Sequence, residues 1–175
     1  MLRLICIRVC FFFSIIFFFF LLSCRSRKNV ALSSSDKLII EKYSQLLSVN
    51  STQIESNLSL FRFVNEWSGV PYLFGGKDKK GIDCSAFVAR FLKDNFNLSA
   101  TGSANDMFEK ARKIKNDKVQ LGNLVFFKIE SKKISHVGVF LMNNKFIHAS
   151  SSKGVVISNL DENYYKKYFV GFGAL

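Results

Sequence analysis

Gly81-Ile82-Asp83-Cys84-Ser85-Ala86-Phe87-Val88 runs on through Ala89-Arg90-Phe91-Leu92 to Phe96. Its apolar residues 87, 88, 91 and 92 recur at helical spacing, which predicts a helix over Asp83 to Phe96 with one face in a core. Cys84 falls in the first turn of that helix. Upstream, Phe61, Phe63, Val64 and Trp67 predict another helix, stopped by Gly69 and Pro71, and Gly75-Gly76 to Gly81 reads as a loop. Further back, Ser35-Asp36 can cap a helix carrying Leu38, Ile39, Leu46 and Leu47 as its apolar stripe, with Asn50-Ser51-Thr52 breaking it. A short helix is expected from Asn105 to Ile114. Beyond it the period changes. Leu124–Ile129, His136–Met142, Lys145–Ala149, Val155–Ser158 and Phe169–Phe172 are short, β-rich runs separated by turn residues such as Asn143-Asn144 and Lys153-Gly154. Helices followed by a series of antiparallel strands predict an α+β fold.

Chemistry concentrates on three side chains. Past residue 24 the chain holds one cysteine, Cys84, and its two histidines, His136 and His148. A thiol nucleophile needs a base to take its proton and a third group to hold that base. The start of a helix favours a thiolate, so the Cys84 pKa is expected below its ordinary value. His136 opens one strand and His148 lies on the next, so a hairpin through Asn143-Asn144 would bring the imidazoles together. The order Cys, His, polar residue resembles the papain-like arrangement. The plain alternatives are a buried structural thiol and two histidines satisfied within a core. Cys and two His supply three ligands without CxxC or HxxxH spacing, so no metal is expected. No Walker A loop is present and no cofactor is implied.

The surrounding text sharpens this. Trp67-Ser68-Gly69-Val70-Pro71-Tyr72-Leu73-Phe74-Gly75-Gly76, the Cys84 string, Gly122-Asn123-Leu124-Val125-Phe126-Phe127, Ser135-His136-Val137-Gly138-Val139-Phe140 and Phe146-Ile147-His148-Ala149-Ser150 follow one another in order. Together they resemble the NlpC/p60 family of cell-wall cysteine peptidases, over roughly residues 62–172. The resemblance implies a circularly permuted papain-like fold, with N-terminal helices packed on an antiparallel sheet, and hydrolysis of peptidoglycan stem peptides. It implies Cys84 as nucleophile, His136 as general base and His148 as the orienting third member. Tyr72 matches a tyrosine whose hydroxyl aids oxyanion stabilisation together with the Cys84 N–H, and Asp83 and Ser85 match positions lining the substrate cleft. Packing is the alternative for Tyr72, and helix capping for Asp83. Two positions depart from the family pattern: Ala86 replaces the usual Gly, and Leu121-Gly122-Asn123 replaces Pro-Gly-Asp. The first narrows the cleft by a methyl and the second puts a turn's hydrogen bonding in doubt.

The N-terminus makes a separate statement. Arg3 and Arg8 precede an uncharged apolar run from Val9 to Leu22, too short to span a bilayer but of signal-peptide length. Leu21-Leu22-Ser23-Cys24 resembles the bacterial lipoprotein box, implying cleavage before Cys24 and its lipidation; an uncleaved anchor is the alternative. The expected organisation is a signal peptide over 1–23, a tether and N-terminal helix over 24–60, and a peptidase domain over 61–175. The protein would then be a monomer anchored to a membrane of the cell envelope, facing the periplasm if that is the outer membrane. The 175 residues carry a net charge of +12, with 49% hydrophobic and 22% charged residues, which excludes a disordered chain. Lysines are spread along the sequence, with Lys77, Lys79 and Lys80 the nearest thing to a cluster, and no nucleic-acid-binding signature accompanies them. The expected activity is an endopeptidase acting on intact or crosslinked wall, at the D-alanyl crosslink or the γ-D-glutamyl bond beside the diamino acid. The alternatives are an idle wall-binding lipoprotein and an N-acetylmuramoyl-L-alanine amidase.

Overall fold

A computed structural model describes residues 32–175. The expected signal peptide, Cys24 and most of the tether lie outside the described residues. Ser33–Leu175 make one compact unit, and the boundary expected at residue 60 falls inside a helix.

Helix α1 spans Ser34–Leu47. Its cap is Ser33, not Ser35. The Ser33 hydroxyl accepts from the Asp36 N–H at 3.1 Å, and the Asp36 carboxylate accepts from the Ser33 N–H at 3.2 Å, a reciprocal capping box. The apolar stripe also differs from expectation. Asp36, Ile40, Tyr43 and Leu47 are buried, while Leu38 and Leu46 are 67% and 44% exposed. Both sets have helical spacing; the partner helix selects between them, because Arg62 donates to Asp36 at 2.7 Å and Phe61 meets Tyr43 at 5.3 Å. The Arg62 guanidinium, with Ser33, holds the Asp36 carboxyl well below the usual carboxylate range.

The break at Asn50 is real, but the chain restarts at once as α2, Ser51–Glu55, with Gln53 accepting from the Asn50 N–H at 3.2 Å. Helix α3, Leu58–Trp67, buries Phe61, Phe63, Val64 and Trp67 as expected. The 24–60 stretch, expected to hold one N-terminal helix, thus holds α1, α2 and the start of α3. A two-residue hairpin, β1 (Lys77–Asp78) with β2 (Gly81–Ile82), leads into α4, Cys84–Phe96. Phe87 and Phe91 of α4 lie 6.1 and 5.5 Å from the Phe63 ring. Each fully buried phenylalanine of this cluster contributes about 1.5–3 kcal/mol through the hydrophobic effect.

Helix α5 is shorter than expected, Ala104–Lys110. Ala111 turns extended and Arg112–Ile114 becomes strand β3, because the last strand offers it a ladder, with Ile114 opposite Phe172. Strands β4 (Leu124–Phe127), β5 (His136–Phe140), β6 (Lys145–Ser150) and β7 (Gly154–Asn159) follow. Helix α6, Asn163–Tyr168, was not legible in the sequence, and β8, Phe169–Ala174, ends the chain. The antiparallel sheet has six strands in the order β3-β8-β4-β5-β6-β7. All four residues of central β4 are buried, as a strand covered on both faces must be. Val125 and Phe127 alternate onto the face that also holds Phe140, Phe146, Tyr165 and Phe172.

Candidate active site

Asp83 creates the start of α4. One of its carboxylate oxygens accepts from the Ala86 N–H at 2.7 Å and the Ser85 hydroxyl at 2.8 Å, and the other accepts from the Gly75 N–H at 3.1 Å. This residue is therefore both helix cap and loop pin, and it fixes Cys84 at the first helical position. The Tyr72 segment is held against the same entry: Tyr72 bridges to Ile82, and the Ile82 N–H donates to the Pro71 carbonyl at 3.0 Å.

The β5–β6 hairpin sets the histidines. Asn143 and Asn144 both adopt positive φ, 49° and 58°, the backbone of a tight two-residue turn. The ladder pairs Val139 with Ile147, and one further step sets His148 across from Gly138 and diagonal to His136. A Cβ on Gly138 would stand 3.0 Å from the His148 Cβ and 2.8 Å from the Phe146 ring. Glycine there makes room for the imidazole. His136 Nε2 and His148 Nδ1 meet at 2.7 Å. The remaining His148 nitrogen, Nε2, lies 3.1 Å from both the Ser158 hydroxyl and the Tyr165 hydroxyl.

Cys84, His136, His148 and Tyr72 line one cleft of about 230 Å³, together with Ser150 and Tyr165. Asp83 and Ser85 line an adjacent groove with Lys77, Arg90 and Lys93. The sequence reading missed Ser158 and Tyr165: both lie in the C-terminal β–α segment, and neither carries a motif. Cys84 is the free cysteine of the described residues and is buried, and no group of metal-ligating side chains occurs among them.

The expected lowering of the Cys84 pKa is not found. Burial pushes the thiol up; the Val137 N–H pulls it down, the Asp83 charge pushes it up further, and the Ser85 and Cys84 N–H groups offset only part of this. Magnitudes explain the outcome. A helix N-terminus is worth about 0.3–1 kcal/mol, under one pKa unit, whereas burial shifts a group by up to about 3–5 units. Burial lowers His136 from 6.5 to about 4 and carries His148 well below its ordinary value, with the His136 charge adding to the latter. The resting site is thus an uncharged thiol beside uncharged imidazoles.

This gives a signed expectation for pH. As a general base His136 would work only while neutral, so the acid limb of kcat/KM should fall as pH drops through about 4. A pH–rate profile checks it, and an acid limb centred near 6.5 contradicts it.

An α+β domain with a thiol at the start of its buried helix, and paired histidines on the facing hairpin, defines the class of a cysteine-hydrolase fold. The profile of the NlpC/P60 family matches residues 69–174, and the chain belongs to that family. Over 104 residues it is 41% identical to murein DD-endopeptidase MepS/murein LD-carboxypeptidase of Escherichia coli, covering 59% of this chain and 55% of that protein. The chain thus matches a little over half the length of this curated relative. A protein from Staphylococcus aureus described as similar to lipoprotein, of the NLP/P60 family, aligns with a TM-score of 0.60 at 24% identity, covering 68% of this chain and 41% of that one. RipD of Mycobacterium tuberculosis, described as a non-catalytic NlpC/p60 domain protein adapted to peptidoglycan binding, aligns with a TM-score of 0.54 at 15% identity, covering 67% of this chain and 94% of that one. These structural likenesses place the fold as the papain-like one expected from the motifs.

Proposed function

We propose that this protein is a cysteine endopeptidase of peptidoglycan. The observation that carries the reading is the 2.7 Å contact between His136 and His148 within the cleft that holds Cys84 and Tyr72. His136 uses Nε2 toward His148, which leaves Nδ1 to take the Cys84 proton. The thiolate attacks the carbonyl carbon of the scissile amide, and the oxyanion is met by the Cys84 N–H and the Tyr72 hydroxyl. His136 returns the proton to the leaving amine, giving a thioester. Water then attacks that thioester with His136 again as base, releasing the acid and restoring the thiol.

The wall-binding, non-catalytic reading is the second one, supported by the description of RipD. The thiol and both imidazoles gathered in one cleft favour hydrolysis here. For the bond, identity to a protein named a DD-endopeptidase supports the D-alanyl crosslink over the γ-D-glutamyl bond. Incubation with purified crosslinked muropeptide dimers, and separately with uncrosslinked tripeptide stems, tests this by product mass. Cleavage of dimers to monomers is expected; exclusive cleavage of free stems overturns the choice of bond, and no cleavage of either overturns the enzyme.

Anchoring through an acylated Cys24 completes the proposal and places the enzyme in the cell envelope beside an immobile substrate. Cys24→Ala should accumulate as an unprocessed precursor on immunoblots. Maturation of that variant to the wild-type mass would refute lipidation.

A further inference from the structure

We propose that Ser158 and Tyr165 are positioning residues of this site, which together accept the Nε2 proton of His148 and so dictate which of its nitrogens carries the proton. The inference rests on the reading of Cys84, His136 and His148 as a working triad.

His148 is 1% exposed, so its hydrogen bonds are those the protein supplies. Its ring is stacked on Phe146 at 4.8 Å and meets Tyr165 edge-on at 5.3 Å, which holds its plane. A neutral imidazole has one N–H and one lone pair, and the 2.7 Å contact to His136 admits two arrangements. In the first, His136 Nε2–H donates to the His148 Nδ1 lone pair, and His136 Nδ1 keeps the lone pair that a thiol proton needs. In the second, His148 Nδ1–H donates to His136 Nε2, so the His136 proton sits on Nδ1 and the base is blocked.

The far side of His148 separates the two. Ser158 Oγ and Tyr165 Oη both lie 3.1 Å from His148 Nε2, and the Ser158 hydroxyl donates to the Tyr165 oxygen at 3.4 Å. With its hydrogen committed there, Ser158 presents a lone pair to His148. A protonated Nε2 satisfies that lone pair and shares its hydrogen with the Tyr165 oxygen. An unprotonated Nε2 would take the Tyr165 hydrogen but set its lone pair against that of Ser158 at 3.1 Å. A protonated Nε2 meets both oxygens and leaves the Tyr165 hydrogen to the cleft that Tyr165 lines. The two hydroxyls therefore select the first arrangement. They also aim negative dipole ends through His148 toward the imidazolium that His136 becomes on taking the thiol proton, in a site whose burial otherwise disfavours that cation.

The test is the double variant Ser158→Ala/Tyr165→Phe, labelled with 15N-histidine and examined by NMR at neutral pH without substrate. The wild type should show His148 protonated at Nε2 and bare at Nδ1. The double variant should move the proton partly or wholly to Nδ1. With crosslinked muropeptide dimers as substrate, kcat should fall by about 10- to 100-fold, the range for partners that orient a reacting group from behind, with KM within about twofold. Ser158→Thr, which keeps the hydroxyl, should retain the wild-type tautomer and rate. If the double variant does not fold, each single variant removes one oxygen and should show a mixed tautomer. A His148 proton that stays on Nε2 in the variants, or sits on Nδ1 in the wild type, overturns the proposal. A wild type with the expected tautomer and no hydrolysis overturns the enzyme reading instead, because the NMR signal needs no turnover.

Discussion

Cys84→Ala should lower hydrolysis of crosslinked muropeptides by about four to six orders of magnitude, to the residual rate that substrate positioning and oxyanion donors sustain alone. The substitution removes the only described thiol and replaces it with a slightly smaller apolar group at the first position of α4. The helix start does not depend on the sulfur, since Asp83 provides the cap through its bonds to the Ala86 and Ser85 donors. The melting temperature should therefore shift by no more than a few degrees. Muropeptide affinity should persist, measurable by calorimetry, because the Tyr72 and Ser150 walls of the cleft are untouched. Turnover that survives the substitution, or survives alkylation of Cys84 by iodoacetamide, would remove the thiol mechanism.

His136→Ala should be nearly as damaging, again about four to six orders of magnitude, because the thiol is held in its uncharged form and the proposed mechanism gives it no other base. In a site with a pre-formed thiolate the loss would be smaller, since attack would need no proton transfer. Burial decides the matter: it raises the Cys84 pKa and lowers that of His136, so the proton must move during the reaction. His148→Ala should be about 10- to 100-fold less damaging than either, since in the proposed mechanism His148 orients His136 and does not exchange protons with substrate. The three losses should not add in combined variants, because the groups act as a unit. Steady-state kcat/KM for the three single variants and the triple variant checks the ranking. A His148→Ala enzyme slower than Cys84→Ala would contradict the assigned roles.

What could be read without coordinates came from local periodicity and from motif order. Phe87, Val88, Phe91 and Leu92 mark the face of α4 because a helix has one repeat, and that face is the buried one. The strands from Leu124 onward, and the Asn143-Asn144 turn with its two positive φ values, follow from β-rich runs and from residues that tolerate a left-handed backbone. Cys84, His136 and His148 stood out because the chain past residue 24 has no other thiol or imidazole. Tertiary structure decided the rest. Helix α1 has two stripes of equal spacing, and only Phe61 and Arg62 on α3 select the one through Tyr43. Arg112–Ile114 left its helix for a strand because β8, some 60 residues later in sequence, pairs with it. The direction of the Cys84 pKa shift was reversed for the same kind of reason. A helix N-terminus is visible in sequence, but desolvation is a property of what packs around the sulfur, and it is the larger effect. Ser158 reaches His148 diagonally across the β6–β7 ladder, where it faces Phe146, while Tyr165 arrives from α6, a juxtaposition with no local pattern to announce it.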